Sequence, residues 1–104
     1  MSQAESADIP WSQAVVMVCT KCSRKIVGDE SLADSFKKSL KLSFRDAGYA
    51  KNVRTVTSSC LDICPHERVT IAVLKPGAKA QAITVEPKIG ESELFEEVQK
   101  LVRG

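Results

Sequence analysis

Two short cysteine motifs constrain this chain more than any other feature. Cys19 and Cys22 are separated by two residues and Cys60 and Cys64 by three, with 37 residues between the motifs. The polar N-terminus lacks the basic-then-apolar order of a secretion signal, so we expect the protein in the cytosol. Because ordinary thiols stay reduced there, four cysteines predict a metal site or a redox-active dithiol in place of stable disulfides.

The apolar pattern of the first part of the chain predicts a strand, a helix and a second strand. Residues 14–19 form a continuous, β-branched run that is typical of a strand buried on both faces. Residues 31–47 predict an amphipathic helix, which Asp29 or Ser31 can cap and Gly48 can end. Residues 52–57 are again short and β-branched. A right-handed crossover would make the two strands parallel, with residues 20–30 as a loop.

The C-terminal part of the chain predicts a hairpin followed by a helix. Residues 69–73 alternate in character, residues 75–79 supply a turn, and residues 82–85 resume an extended pattern. Residues 94–102 place their apolar side chains on one helical face. The predicted order is therefore β-α-β-β-β-α around a mixed four-stranded sheet. Residues 1–12 are expected to be a flexible arm and residues 13–104 a single domain.

Composition excludes several classes of function. With 104 residues, 43% hydrophobic and 27% charged, the chain fits one globular α/β domain. A formal net charge of only +2, with cations scattered among acids, gives little support for nucleic-acid binding. The longest apolar run is far shorter than the roughly 20 residues that span a bilayer. The acidic residues form no recognisable acid and base pair, which argues against a hydrolytic enzyme.

Both cysteine motifs follow the C-terminal ends of the two strands that we expect to be parallel. Such strand ends meet at one edge of a sheet, so all four thiols can share one site. Four thiolates are the usual ligands of a [2Fe-2S] cluster or of a structural zinc ion. Buried, inert cysteines are the simpler alternative, but the polar residues beside these four favour loops. Those neighbours are Lys21, Ser23, Ser59 and Pro65.

The two motifs also carry a resemblance to a known family. The runs are Val18-Cys-Thr-Lys-Cys22 and Ser59-Cys-Leu-Asp-Ile-Cys-Pro65, and the second precedes the strand Val69-Thr-Ile-Ala-Val73. They resemble the thioredoxin-like [2Fe-2S] ferredoxins, whose second loop looks like Cys-Leu-x-x-Cys with a small residue or proline next. Members usually separate their first two ligands by more residues. The short opening is also similar to that of small proteins described only as metal binders.

The resemblance implies a thioredoxin-like ferredoxin fold and a ferredoxin-like electron carrier that is not an enzyme. It implies that Cys19 and Cys22 bind one iron of a [2Fe-2S] cluster and that Cys60 and Cys64 bind the other. Two alternatives stay open. One is a structural zinc module. The other is a thioredoxin-like thiol-disulfide oxidoreductase using Cys19 and Cys22, which the apparent lack of a helix directly after Cys22 disfavours.

The residues around the cysteines suggest what would surround such a site. Basic side chains near both motifs predict either an acidic redox partner or a solvated rim; they are Lys21, Arg24, Lys25, His66 and Arg68. As the single histidine, His66 is better explained as a surface turn residue than as a ligand. Nearby hydroxyl groups can donate to sulfur, although turn and capping roles are favoured; they belong to Thr20, Ser23, Ser58 and Ser59. A homodimer is a further expectation for a carrier of this kind.

Overall fold

A computed structural model describes residues 5–7, 12–63 and 65–104. Four strands, three α-helices and one short 3-10 helix make up the described chain. The strands are β1 (Ala14–Cys19), β2 (Val53–Ser58), β3 (Val69–Leu74) and β4 (Gln81–Val85). The helices are α1 (Thr20–Val27), α2 (Ser31–Asp46) and α3 (Glu91–Arg103), with the 3-10 helix at Ala50–Asn52. None of the described helices is long and apolar enough to cross a membrane.

The strands form one mixed sheet in the order β2-β1-β3-β4. β1 and β2 are parallel, with Ala14 opposite Val53 and Cys19 opposite Ser58. β3 runs antiparallel to both β1 and β4. This arrangement confirms the predicted α/β class, the mixed four-stranded sheet and the parallel crossover between the two strands that precede the cysteine motifs.

The helices cover one face of the sheet. α2 packs against β1 and β2, α3 packs against β3, and the two helices contact each other. Their contact includes the rings of Phe44 and Phe95, which meet edge to face at 4.9 Å between centroids. Alternate residues of β1 point into this layer, so Ala14, Val16 and Val18 are buried while Val15 and Met17 are partly exposed. The core thus lies between the sheet and α2 with α3.

Helix α1 corrects the prediction of a loop over residues 20–30. Its buried positions are Thr20, Cys22 and Ser23, whereas the apolar Ile26 is only partly buried. Small polar side chains on the inner face produce no apolar periodicity, which is why the pattern did not reveal the helix. Gly28, at φ 86°, ends α1 and donates its N–H to the Arg24 carbonyl at 3.0 Å.

The predicted ends of α2 agree with the structure. The Asp29 carboxylate accepts hydrogen bonds from the Ser31 N–H at 2.9 Å and from the Ser31 hydroxyl at 2.6 Å. Gly48, at φ 90°, donates its N–H to the Arg45 carbonyl at 3.1 Å just beyond the last turn. Most of the predicted N-terminal arm, residues 1–4 and 8–11, lies outside the described residues.

Candidate metal centre

Cys19 lies where the central strand meets a helix. It is the last residue of β1 and immediately precedes the first turn of α1, and its side chain is fully buried. Cys22 is one turn further along, inside α1, and is 5% exposed. The prediction that both cysteines lie in a loop is therefore wrong, because α1 begins directly after β1. A C-x-x-C motif at a helix N-terminus brings two thiols to one end of the helix.

Hydrogen bonds to the Cys19 sulfur favour its thiolate form. Burial by itself would raise the pKa of the Cys19 thiol. The backbone N–H and the thiol of Cys22 donate to this sulfur, as do the backbone N–H groups of Leu61 and Lys21, and together they lower its pKa below the usual value. The contribution of Leu61 matters most for the architecture, since this residue belongs to the second cysteine motif.

The groups around Cys22 shift the pKa of its thiol in the opposite direction, upward. Burial raises the pKa of the Cys22 thiol, the neighbouring Cys19 raises it further, and hydrogen bonds with Thr70 offset only part of this effect. The Cys22 Sγ lies 3.8 Å from the Thr70 Oγ1. Thr70 is fully buried in β3. The two cysteines of the first motif are therefore electrostatically different, with Cys19 the better site for a thiolate.

The loop after β2 is fixed against the first cysteine motif at two points. The Leu61 N–H donates to the Cys19 sulfur, and the Thr70 hydroxyl donates to the Ile63 carbonyl at 3.1 Å while it also contacts Cys22. Between these points, Asp62 adopts a left-handed conformation at φ 61° and donates its N–H to the half-buried Cys60 sulfur at 3.4 Å. The loop is therefore folded back on its own cysteine and onto Cys19.

The donor chemistry of these residues fits a thiolate-bound metal. Soft thiolate ligands select iron-sulfur clusters and zinc, and three backbone N–H groups already donate to the Cys19 sulfur. Within residues 5–7, 12–63 and 65–104, no three histidine, cysteine, aspartate or glutamate side chains form a group that could hold a metal ion. Cys64, the fourth predicted ligand, lies outside these residues.

The neighbouring hydroxyl groups have structural roles, as the sequence favoured. Thr20 donates to the Ser58 carbonyl at 2.8 Å and so joins the start of α1 to the end of β2. Ser23 donates to the Asp29 carbonyl at 2.7 Å, and Ser58 to the Ser59 carbonyl at 3.1 Å. Among the described residues of the second half of the chain, the polar groups that contact the sulfurs of the first motif are Thr70 and the Leu61 backbone, which the sequence pattern did not single out.

The basic residues near the motifs differ in their exposure and in their contacts. Lys21, Arg24 and Lys25 are exposed on α1. The side chain of His66 is 94% exposed in a turn, as predicted. Arg68 is held at β4, because its guanidinium donates to the Thr84 hydroxyl and carbonyl at 3.0 and 2.8 Å.

A groove of about 290 Å³ lies beside Cys22, between α1 and the chain that leads into β3. Lys25, His66 and Arg68 line this groove together with Pro65. The approach to Cys22 from this side is therefore predominantly basic, with Glu67 as the acidic exception.

No family model matches the chain, and no curated protein or solved structure matches it.

Proposed function

We propose that the protein is a small electron carrier that binds a [2Fe-2S] cluster through Cys19, Cys22, Cys60 and Cys64. One observation carries this proposal: Thr70 contacts both motifs, since its hydroxyl donates to the Ile63 carbonyl at 3.1 Å and its Oγ1 lies 3.8 Å from the Cys22 sulfur. A thioredoxin-like arrangement places both motifs after neighbouring parallel strands, with Cys19 opposite Ser58 in register.

When bound, a [2Fe-2S] cluster accepts one electron and gives it back. The chain's own residues would hold the sulfurs and set their surroundings. Backbone N–H groups of residues 21, 22 and 61 donate to Cys19, and such hydrogen bonds to sulfur stabilise negative charge and raise a reduction potential. Thr70 joins the two motifs, so the distance between them is set by the rigid strand β3.

The surroundings of Cys22 suit an acidic redox partner. Lys25 and His66 line the neighbouring groove, and Lys21 and Arg24 are exposed on the same helix as Cys22. Complementary charge speeds the encounter of electron-transfer partners and weakens as salt is added. We therefore propose docking of an acidic protein surface over the α1 end of the sheet.

The visible absorption spectrum of anaerobically purified protein tests the cluster. We expect broad bands that fade on addition of dithionite, together with two irons and two sulfides per chain. A colourless protein that contains one zinc ion per chain would refute the electron carrier and assign a structural zinc module. A protein that lacks both metals would refute both.

Single serine substitutions identify the ligands. Cys19→Ser, Cys22→Ser, Cys60→Ser and Cys64→Ser are each expected to lower the iron content and to alter the spectrum. Ala80→Ser is the matched control, since it introduces a hydroxyl at an exposed position between β3 and β4. If Cys60→Ser and Cys64→Ser retain the full spectrum, the four-cysteine site is wrong.

A thiol-disulfide oxidoreductase is a second candidate, favoured by the position of Cys19 at the start of α1 beside Cys22. In this reaction the Cys19 thiolate attacks one sulfur of a substrate disulfide and releases the first substrate thiol. Cys22, after losing its proton to solvent, then attacks Cys19 and releases the second thiol, leaving a Cys19–Cys22 disulfide. Because Cys19 is fully buried, the loop after β2 must move before the substrate can reach it.

Insulin reduction by the metal-free, reduced protein separates the two candidates. The electron carrier predicts no turnover with dithiothreitol above the uncatalysed rate. Turnover that disappears in Cys19→Ser and persists in Cys60→Ser would favour the oxidoreductase, since that reaction needs only the first motif.

A further inference from the structure

A second surface of the molecule, which no described cysteine lines, has the features of a binding groove. It has a volume of about 830 Å³ and runs along the outer edge of β2, where residues 53–57 and the exposed side of α2 line it. Among the described strands, only β1 pairs with β2, so β2 is the edge of the sheet. The unpaired N–H and C=O groups of an edge strand are a template for an added strand.

The groove is strongly basic. Five cations line it, and no acidic side chain of the described residues does; the cations are Lys37, Lys41, Arg45, Lys51 and Arg54. Two of them have acidic neighbours on α2, since Lys37 lies 3.9 Å from Asp34 and Arg45 lies 3.6 Å from Asp46. The other three have no ion pair with any described residue. This surface therefore has a local excess of positive charge in a chain of nearly balanced charge.

The groove also has an apolar component. Leu42, on the exposed side of α2, is 50% exposed, and the side chain of Val56 is partly exposed on β2. Among the residues that the structure describes, no aromatic side chain lines the groove. Single-stranded nucleic acids are commonly bound by aromatic side chains on which the bases stack, so the combination here of cations, aliphatic groups and an open strand edge favours a peptide.

We propose that this groove binds an acidic, extended segment of a partner protein, which adds to the sheet as a fifth strand beside β2. Residues 53–57 span about 16 Å at roughly 3.3 Å per residue, enough for about five residues of the partner. Alternate side chains of an added strand face opposite sides, so acidic residues can meet Lys41 and Arg45. The proposal goes beyond electron transfer, since none of the described cysteines lines the groove.

Fluorescence anisotropy with a labelled synthetic peptide tests the proposal. The probe is an amidated peptide of alternating glutamate and valine, seven residues long. Two comparison peptides replace each valine by proline, which removes N–H groups needed in a strand, or each glutamate by lysine. We expect binding of the glutamate-valine peptide alone, and we expect that binding to weaken as salt is added.

Charge reversals locate the site. Lys41→Glu combined with Arg45→Glu is expected to weaken binding about tenfold or more, because like charges would face each other. The matched control combines Lys79→Glu with Lys88→Glu, an equal charge change at exposed positions that do not line the groove. The affinity of the control variant for the peptide should lie within about twofold of that of the parent protein, because exposed charges away from the binding site contribute little. Far-UV circular dichroism verifies that both variants are folded.

Several results would overturn the proposal. Equal binding of the proline peptide would exclude strand addition, and equal weakening in the control variant would show a response to net charge alone. Binding of an oligothymidylate that only the groove variant loses would assign the surface to nucleic acid. Lack of peptide binding at about 1 mM protein would also refute it.

Discussion

Cys19 and Cys22 are neighbours in space but differ in the groups that contact them. Backbone N–H groups converge on Cys19 from α1 and from the loop after β2. Cys22 is buried against β3, and burial dominates its surroundings. The same difference serves either proposed chemistry, since a lowered pKa raises the fraction of Cys19 present as thiolate, the form that binds metal and attacks disulfides.

The reduced, metal-free protein should reveal this difference on titration of its thiolates at 240 nm. We expect Cys19 to ionise below, and Cys22 above, the usual cysteine range. The lowered pKa of Cys19 stabilises the folded state above the unfolded-state pKa, and this contribution is lost as the pH falls through the folded-state value. For Cys22, the contribution is present below the unfolded-state pKa and is lost as the pH rises through its folded-state value. Persistence of the early ionisation in Cys19→Ser would contradict the assignment.

Thr55 carries an unsatisfied polar group in the fold. This residue is 8% exposed in β2, and its Oγ1 is the one buried side-chain oxygen or nitrogen of the described residues that lacks a hydrogen-bond partner. We expect Thr55→Val to raise the free energy of unfolding by about 1 kcal/mol, because it replaces an unpaired hydroxyl by a methyl group of similar size. Thr55→Ser, which keeps the hydroxyl and loses the methyl group, should lower it. Urea unfolding checks both, and a less stable Thr55→Val would contradict the argument.

Helix α1 is joined to α2 through a side chain rather than through apolar packing alone. Ser23 is fully buried, donates to the Asp29 carbonyl at 2.7 Å and accepts the Ala33 N–H at 3.1 Å. These bonds join α1 to the first turn of α2 across the intervening turn. The position of Cys22 thus depends on a polar contact made by the next residue.

Ser23→Ala should therefore destabilise the protein more than a serine substitution on the surface of α2. It leaves the Asp29 carbonyl and the buried Ala33 N–H without their partner, for which we expect a loss of about 2 kcal/mol in the free energy of unfolding. Ser35→Ala, at an exposed position of α2, is the matched control and should change that energy by less than about 0.5 kcal/mol. Chemical denaturation followed by circular dichroism compares them, and equal losses would argue against this role of Ser23.

The elements that the sequence predicted are those whose apolar residues recur regularly. The first strand was predicted with the observed bounds, and the long helix at 31–47 ends at Asp46 in the structure. Helix α1 was missed, because its inner face consists of Thr20, Cys22 and Ser23. Gly28 after Val27 was the available signal, since a glycine in a left-handed conformation ends many helices.

The sequence predicted less of the candidate site than of the fold. The parallel crossover correctly brought the second motif to the edge where Cys19 lies, as the contact with Leu61 shows. Thr70 could not be recognised, because a threonine in a β-branched strand reads as an ordinary strand residue. Its role arises from a contact with Cys22 across 48 positions of sequence, which only the folded chain creates.

The whole molecule is a thin two-layer structure, so its stability depends on the contact between α2 and α3. Phe44 is 1% exposed, and its ring packs edge to face against Tyr49 at 5.2 Å and Phe95 at 4.9 Å. Tyr49 in turn accepts a hydrogen bond from Gln99 of α3 at 3.2 Å. Because both helices cover the same face of the sheet, loss of this cluster should weaken the entire core rather than one end of it.

A double-mutant cycle on Phe44→Leu and Phe95→Leu measures that coupling. Each variant keeps most of the apolar volume, so each should stay folded, whereas Phe44→Ala would cost about 3–5 kcal/mol of the marginal stability of a small domain. We expect the double variant to lose about 0.5–1.5 kcal/mol less than the sum of the single losses, because the edge-to-face contact can be lost only once. Urea unfolding supplies the four free energies. If the losses add within about 0.3 kcal/mol, α2 and α3 contribute to the core independently.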